Sequence, residues 1–202
     1  MLYSFDNDLL GFCENKKIKS LPLYIINNLN ELNSADLINV EQKRFLKSAF
    51  DLENDNLGFF PDKNGALAGA ITIIRASKEP KKSIIDQAAK ISKKLPAKKW
   101  ATNFISTFKD HDKYNFFLGW GLSFYKFSIE KRKESHTKSR TLCSNKGRGI
   151  ISKVLLEKCF AEIKSIFLTR DLINLPPNIL TPYNYEKIIK SCLKEFSPKI
   201  TS

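Results

Sequence analysis

The stretch Phe167-Leu168-Thr169-Arg170-Asp171-Leu172-Ile173-Asn174-Leu175-Pro176-Pro177-Asn178-Ile179-Leu180-Thr181-Pro182 joins two helical patterns through a pair of prolines. Upstream, Ile151, Val154, Leu155, Cys159, Phe160, Ile163 and Phe167 recur at helical spacing and form a broad apolar stripe, with Lys153, Glu157 and Lys164 on the other side. Asn174 is a residue that tolerates the left-handed conformation common after a helix. Pro176 drives Leu175 out of the helical region, and Pro177 does the same to Pro176. Thr181 then suits an N-cap, with Pro182 in the first helical position. Tyr185, Ile188, Ile189, Cys192, Leu193 and Phe196 follow at helical spacing. The reading is helix, extended break, helix, the second running to about Phe196.

The chain before this junction alternates strand and helix signals. Residues 21–27, LPLYIIN, form a short apolar run that suits a buried strand. Ile38, Phe45, Leu46, Ala49 and Phe50 predict a helix over 36–50. Asn64-Gly65 is a turn signal, because both residues tolerate positive φ, and it predicts a hairpin or a tight strand-to-strand connection between an apolar piece at 58–60 and a strand at 67–74. Ser83 followed by Asp86 starts a helix that carries Ile84, Ile85, Ala88, Ala89 and Leu95 and stops at Pro96. Residues 99–106 are a further strand candidate. From Tyr114 to Phe127 aromatics crowd together, read as core, with a base-stacking platform as the alternative. Gly119 and Gly121 each cost about 1 kcal/mol in a helix relative to Ala, and are tolerable where a neighbouring backbone packs closely. The fold class is α/β, a mixed sheet flanked by helices.

Residues 128–149 are polar and basic and form the internal boundary of this reading. Lys131, Arg132, Lys133, Lys138, Arg140, Lys146 and Arg148 make this the densest basic segment, read as a solvated loop, with phosphate binding as the sharper alternative. The net charge of +13 is compatible with a nucleic-acid partner, but lysine greatly outnumbers arginine across the whole chain, a general compositional bias. Asn145 to Gly149 has only a passing likeness to a glycine loop. No apolar run reaches the roughly 20 residues needed to span a bilayer. The start, MLYSFDNDLL, lacks the features of a secretory signal, which points to the cytoplasm. Cys13, Cys143, Cys159 and Cys192 contain no C-x-x-C pair and are read as reduced, mostly buried thiols. His111 and His136 lack helically spaced ligand partners, so no zinc site is expected from this chain alone.

Arg170 to Pro182 resembles the segment that opens the catalytic domain of the leucyl (cytosol) aminopeptidases, R-D-L-I-N-T-P-P-N-D-M-G-P. Arg170, Asp171, Leu172, Ile173, Asn174, Pro176, Pro177, Asn178 and Pro182 match; Leu175, Ile179, Leu180 and Thr181 depart. Residues 119–127, GWGLSFYKF, are similar to that family's G-W-A-L-G-x-Y-R-F, and residues 65–74 to a strand of its N-terminal domain. The resemblance covers the chain from about residue 57. It implies a macro-like N-terminal α/β domain over 1–130, a basic connector at 131–149, a linking helix at 150–170, and the start of a cut-short catalytic domain at 171–202. It also implies, for the whole family protein, removal of N-terminal amino acids from peptides, two divalent ions (zinc or manganese), and assembly into hexamers. The ligands lie in G-K-G-x-x-F-D-T-G-G and N-T-D-A-E-G-R-L motifs, and neither occurs in these 202 residues. Hence no catalytic, cofactor-binding or metal residue is assigned to any position. The reading is an N-terminal part that is inactive alone; the alternative is a stand-alone nucleic-acid or nucleotide-binding module.

Overall fold

The computed structural model describes residues 10–13, 19–34, 38–52, 54–75, 83–127, 140–143, 149 and 151–193. The elements run β1 (Phe12–Cys13), β2 (Leu21–Ile26), α1 (Asn30–Ser34), α2 (Val40–Ala49), β3 (Leu57–Pro61), β4 (Leu67–Ile73), α3 (Ile84–Lys94), β5 (Lys99–Phe104), α4 (Asp110–Leu122), β6 (Thr141–Cys143), α5 (Lys153–Asn174) and α6 (Pro182–Leu193). Six strands form one sheet in the order β1-β6-β5-β2-β4-β3. All neighbours are parallel except β3 with β4.

The central strand β2 shows why the sheet is covered on both faces. Its side chains alternate with period two. Leu23 and Ile25 enter one core with Trp100, Phe104, Phe116, Phe117, Trp120, Ile163 and Phe167. Ile26 enters a second core with Leu32, Leu46, Phe60, Ile71 and Ile73. An apolar run without polar alternation is what a strand buried on both sides requires. Helices α3, α4 and α5 thus cover the first face and α1 with α2 the second.

The expected hairpin is present, through a five-residue loop rather than a two-residue turn. The Asp62 N–H donates to the Ala66 carbonyl at 2.7 Å and the Gly65 N–H to the Asp62 carbonyl at 3.1 Å. The Asp62 carboxylate accepts from the N–H groups of Asn64 and Ala66. Only Gly65 of the Asn-Gly pair is left-handed, at φ 79. A loop of this length needs one such residue, not two.

Helix α3 starts as expected, with the Ser83 hydroxyl accepting from the Asp86 N–H at 3.2 Å. Helix α2 is shorter than the expected 36–50. Asn39 and Gln42 form a capping box that fixes its start at Val40. Ile38 is buried ahead of the helix, and Phe45 is 43% exposed. The aromatic segment lies on α4, whose Phe116, Phe117 and Trp120 are fully buried. Gly119 brings α4 against the backbone of α3: a Cβ there would overlap the Ile85 carbonyl oxygen and stand 2.7 Å from Ile85 C and Cα.

Two differences concern the segment read as a basic connector. Thr141–Cys143, inside 131–149, is a buried strand that pairs with both β5 and β1. Arg140, beside it, donates to the Ser92 carbonyl at the end of α3. The rest of the basic cluster, Lys131, Arg132, Lys133, Lys138, Lys146 and Arg148, lies with His136 outside the described residues. The long helix buries Leu156, Cys159, Phe160, Ile163 and Phe167, whereas Val154 stands 74% exposed. Its apolar face is covered within the chain, by the sheet and α4, and is not an open stripe.

Candidate functional site

The proline junction forms a corner between α5 and α6. Asn174 is the last helical residue, not a left-handed cap; Leu175 turns extended, at φ −69 and ψ 133, as the following proline demands. The Leu175 N–H still reaches the Asp171 carbonyl at 3.0 Å, so the helix ends without a lost donor. Ile179 and Leu180 both donate to the Pro176 carbonyl at 2.9 Å. The Thr181 hydroxyl then accepts from the Asn184 N–H at 3.3 Å and caps α6. The Asn184 side chain donates back to the Ile179 carbonyl at 2.8 Å, locking the turn.

One tyrosine anchors this corner to the body. Tyr125, just past α4, stacks edge-on against Phe167 with centroids 5.2 Å apart. The Arg170 guanidinium lies 5.3 Å from the centre of the Tyr125 ring. Asn174 Nδ2 donates to the Tyr125 hydroxyl at 3.1 Å. The two segments that resemble aminopeptidase motifs, 119–127 and 170–182, therefore meet side chain to side chain.

Between the end of α5 and α6 lies an open cleft of about 680 Å³, walled by Leu168, Leu172, Leu175, Leu180, Tyr185 and Ile189. Ile173, on the same turn, is 76% exposed. Its lining holds no carboxylate, imidazole, thiol or amine, and its wall is mainly apolar. The stripe expected on the second helix is only half-buried here: Ile188, Ile189 and Cys192 are intermediate and Tyr185 is exposed. The rest of that expected helix, including Phe196, lies outside the described residues.

A second hollow, of about 310 Å³, opens beyond the carboxyl ends of β2, β4 and β5, lined by Asn27, Arg75, Ile84, Thr107, Phe108 and Asp112. Crevices in this position are where open α/β sheets bind ligands. Beside it, Glu31 accepts from the Asn27 N–H at 3.1 Å and from the Ser106 hydroxyl, tying β2 to β5. Asp112 accepts from the Lys109 N–H at the start of α4.

The remaining candidates separate. His111 is exposed and pairs with Asn115 at 3.0 Å. Burial, followed by the nearby Glu162 charge, pushes the Cys159 thiol up to about 12, so it stays protonated and is no nucleophile near neutrality. Tyr114 donates to Glu162 in the same patch. Cys13 and Cys143, which are 130 positions apart in sequence, face each other across β1 and β6 with their sulfurs 2.8 Å apart. Among the described residues no three His, Cys, Asp or Glu side chains converge as metal ligands would. The donor set of a dinuclear centre is thus not present in the described part of this chain.

No family model and no curated protein sequence matches the chain. Solved structures do. The Coxiella burnetii cytosol aminopeptidase superposes with a TM-score of 0.69 at 21% identity, over 96% of this chain and 39% of that one. The bottromycin maturation enzyme BotP gives 0.57 at 12%, over 90% and 38%, and a second BotP structure contains Mn. A variant of tomato leucine aminopeptidase gives 0.57 at 16%, over 93% and 42%. The chain spans about two fifths of the length of the structures it matches. What is shared at these identities is the fold, a six-stranded mixed sheet flanked by helices. No helix among the described residues is long and apolar enough to cross a membrane.

Proposed function

We propose that this chain is the amino-terminal portion of a leucyl-aminopeptidase-like protein, built to carry and orient a catalytic portion rather than to cleave peptides itself. The observation that carries the reading is the contact of Tyr125 with Arg170 and Asn174, which joins two separately recognised motif segments into one corner. The fold shared with the aminopeptidases supports it. On this reading the macro-like body comprises residues 1–130 together with Thr141–Cys143, α5 is the linking helix, and the catalytic portion opens near residue 171. The metals, two zinc or manganese ions, the peptide substrate and the hexameric assembly belong to the whole architecture, and the cytoplasm is its compartment. The purified 202-residue chain, incubated with leucine 4-nitroanilide and Mn²⁺ or Zn²⁺, is expected to release no more nitroaniline than metal alone. Turnover that follows the protein through two chromatographic steps overturns the reading.

The alternative, a stand-alone nucleic-acid or nucleotide-binding module, has one observation in its favour: the hollow at the carboxyl ends of three parallel strands, where the apolar Ile84 and Phe108 share the wall with Asn27, Thr107 and Asp112 and Arg75 stands at the edge. Its test is a calorimetric titration with a mononucleotide at low salt. Binding that Arg75→Ala abolishes supports a nucleotide site, and absence of heat at millimolar ligand removes it.

A further inference from the structure

Cys13 and Cys143 occupy partner positions on the parallel strands β1 and β6, where Phe12 pairs with Leu142 and Cys13 with Cys143. In-register neighbours in a sheet have backbones ~4.7–4.9 Å apart and side chains on the same face. A disulfide requires Cα atoms ~4.4–6.8 Å apart with converging Cβ vectors, so this pair can be bridged without moving either strand. The two sulfurs already approach to 2.8 Å, unbridged, with Cys13 6% and Cys143 0% exposed.

We propose that Cys13 and Cys143 form an oxidation-sensitive dithiol that closes to a disulfide under a peroxide-class oxidant. One sulfur attacks a peroxide oxygen and breaks the O–O bond, giving a sulfenic acid and one water. The second sulfur then displaces the sulfenic oxygen, the S–S bond forms, and a second water leaves. The two thiols together give up two electrons and two protons, and the peroxide receives them. Access comes through β1 itself. It is a two-residue edge strand whose ladder is only two residue pairs long, so local opening of this edge exposes both sulfurs. The closed form has a structural reach beyond the edge, because the Phe12 ring lies 4.9 Å from that of Phe160 on α5. Oxidation would fasten the first strand to the strand that precedes α5, and thereby fix the helix that carries the corner.

The test is peroxide treatment of the full 202-residue chain, alkylation of the remaining thiols, and digestion without reductant. A linked peptide pair joining Cys13 to Cys143, with Cys159 and Cys192 alkylated, is expected. Oxidation is also expected to raise Tm by about 10–20 °C, as closing so long a loop predicts for a chain of this size, and dithiothreitol should reverse the gain. Cys143→Ser and Cys13→Ser should each abolish the rise, while Cys159→Ser and Cys192→Ser keep it. Full alkylation of Cys13 and Cys143 after peroxide overturns the proposal, as does linkage to a different cysteine. A Tm rise that survives in Cys143→Ser does so too.

Discussion

Replacing Gly119 by alanine sets two effects of opposite sign against each other. In an isolated helix, alanine would gain about 1 kcal/mol over glycine. In this protein the new Cβ would overlap the Ile85 carbonyl oxygen and lie 2.7 Å from Ile85 C and Cα, where ordinary contacts are 3.4–4 Å. Those atoms are backbone within α3 and have no rotamer to escape to. Relief requires α3 and α4 to separate by about 1 Å, a gap that forfeits a quarter to a half of each contact's dispersion energy along the interface. Overpacking of this kind costs about 1–3 kcal/mol and occasionally more. Because the clash is with main chain, the upper part of that range applies, and the net loss should be about 1–2 kcal/mol after the propensity gain. For a chain of this size that lowers Tm by roughly 2–8 °C. Circular-dichroism melts, with urea titrations for the free energy, provide the assay. Gly121→Ala is the control, since its nearest neighbour is the flexible Ile163 Cδ1; it should cost less than Gly119→Ala. A Gly119→Ala protein as stable as the parent, or more so, would refute the close-approach argument.

Other expectations follow from single contacts. Thr102 Oγ1 is buried and has no hydrogen-bond partner among the described residues. Thr102→Val should therefore be neutral or stabilising by up to about 1 kcal/mol in urea titration, whereas a loss would reveal a partner. Trp120 Nε1 donates to the Gly11 carbonyl at 3.0 Å, an oxygen that also accepts from the Leu142 N–H at 2.8 Å; because that second partner remains, loss of the indole hydrogen bond in Trp120→Phe should cost about 0.5–1.5 kcal/mol. The raised Cys159 pKa makes a pH statement. The folded state holds this proton more tightly than the unfolded chain, so the contribution is complete below the ordinary 9.0 and is lost as pH rises toward about 12. Stability should fall across that window, and Cys159→Ala should flatten the fall; an identical slope in the variant would count against the assignment.

The legible parts of the fold were those with dense local signals. Ser83 capping α3, Pro96 closing it, Gly65 at the hairpin and Pro176 ending α5 all act within a few residues of themselves, and each behaved as its chemistry dictates. The illegible parts were short or non-local. β1 and β6 have two and three residues, too few for a period-two pattern to register, and β6 lies in a segment whose lysines and arginines mask it. Val154 shares helical spacing with the buried face yet lies outside it, because spacing alone does not place the edge of a stripe. At the candidate site, the helix break was readable from the prolines. Its fastening to Tyr125 was not, since a contact across 45 positions leaves no local trace. The nearness of Cys13 to Cys143 was hidden for the same reason.

The pairing of β1 with β6 also constrains how the protein is made. Cys13 must wait for Cys143, 130 positions later, before its strand has a neighbour. Loop-closure entropy is highest for so distant a contact, which places it among the last to form. During synthesis, at about 5–20 residues per second, the first strand therefore stays unpaired for roughly 7–26 seconds. An apolar strand left open for that long is a target for other sheet edges, so crowded synthesis exposes this chain to aggregation at a segment that the finished fold buries.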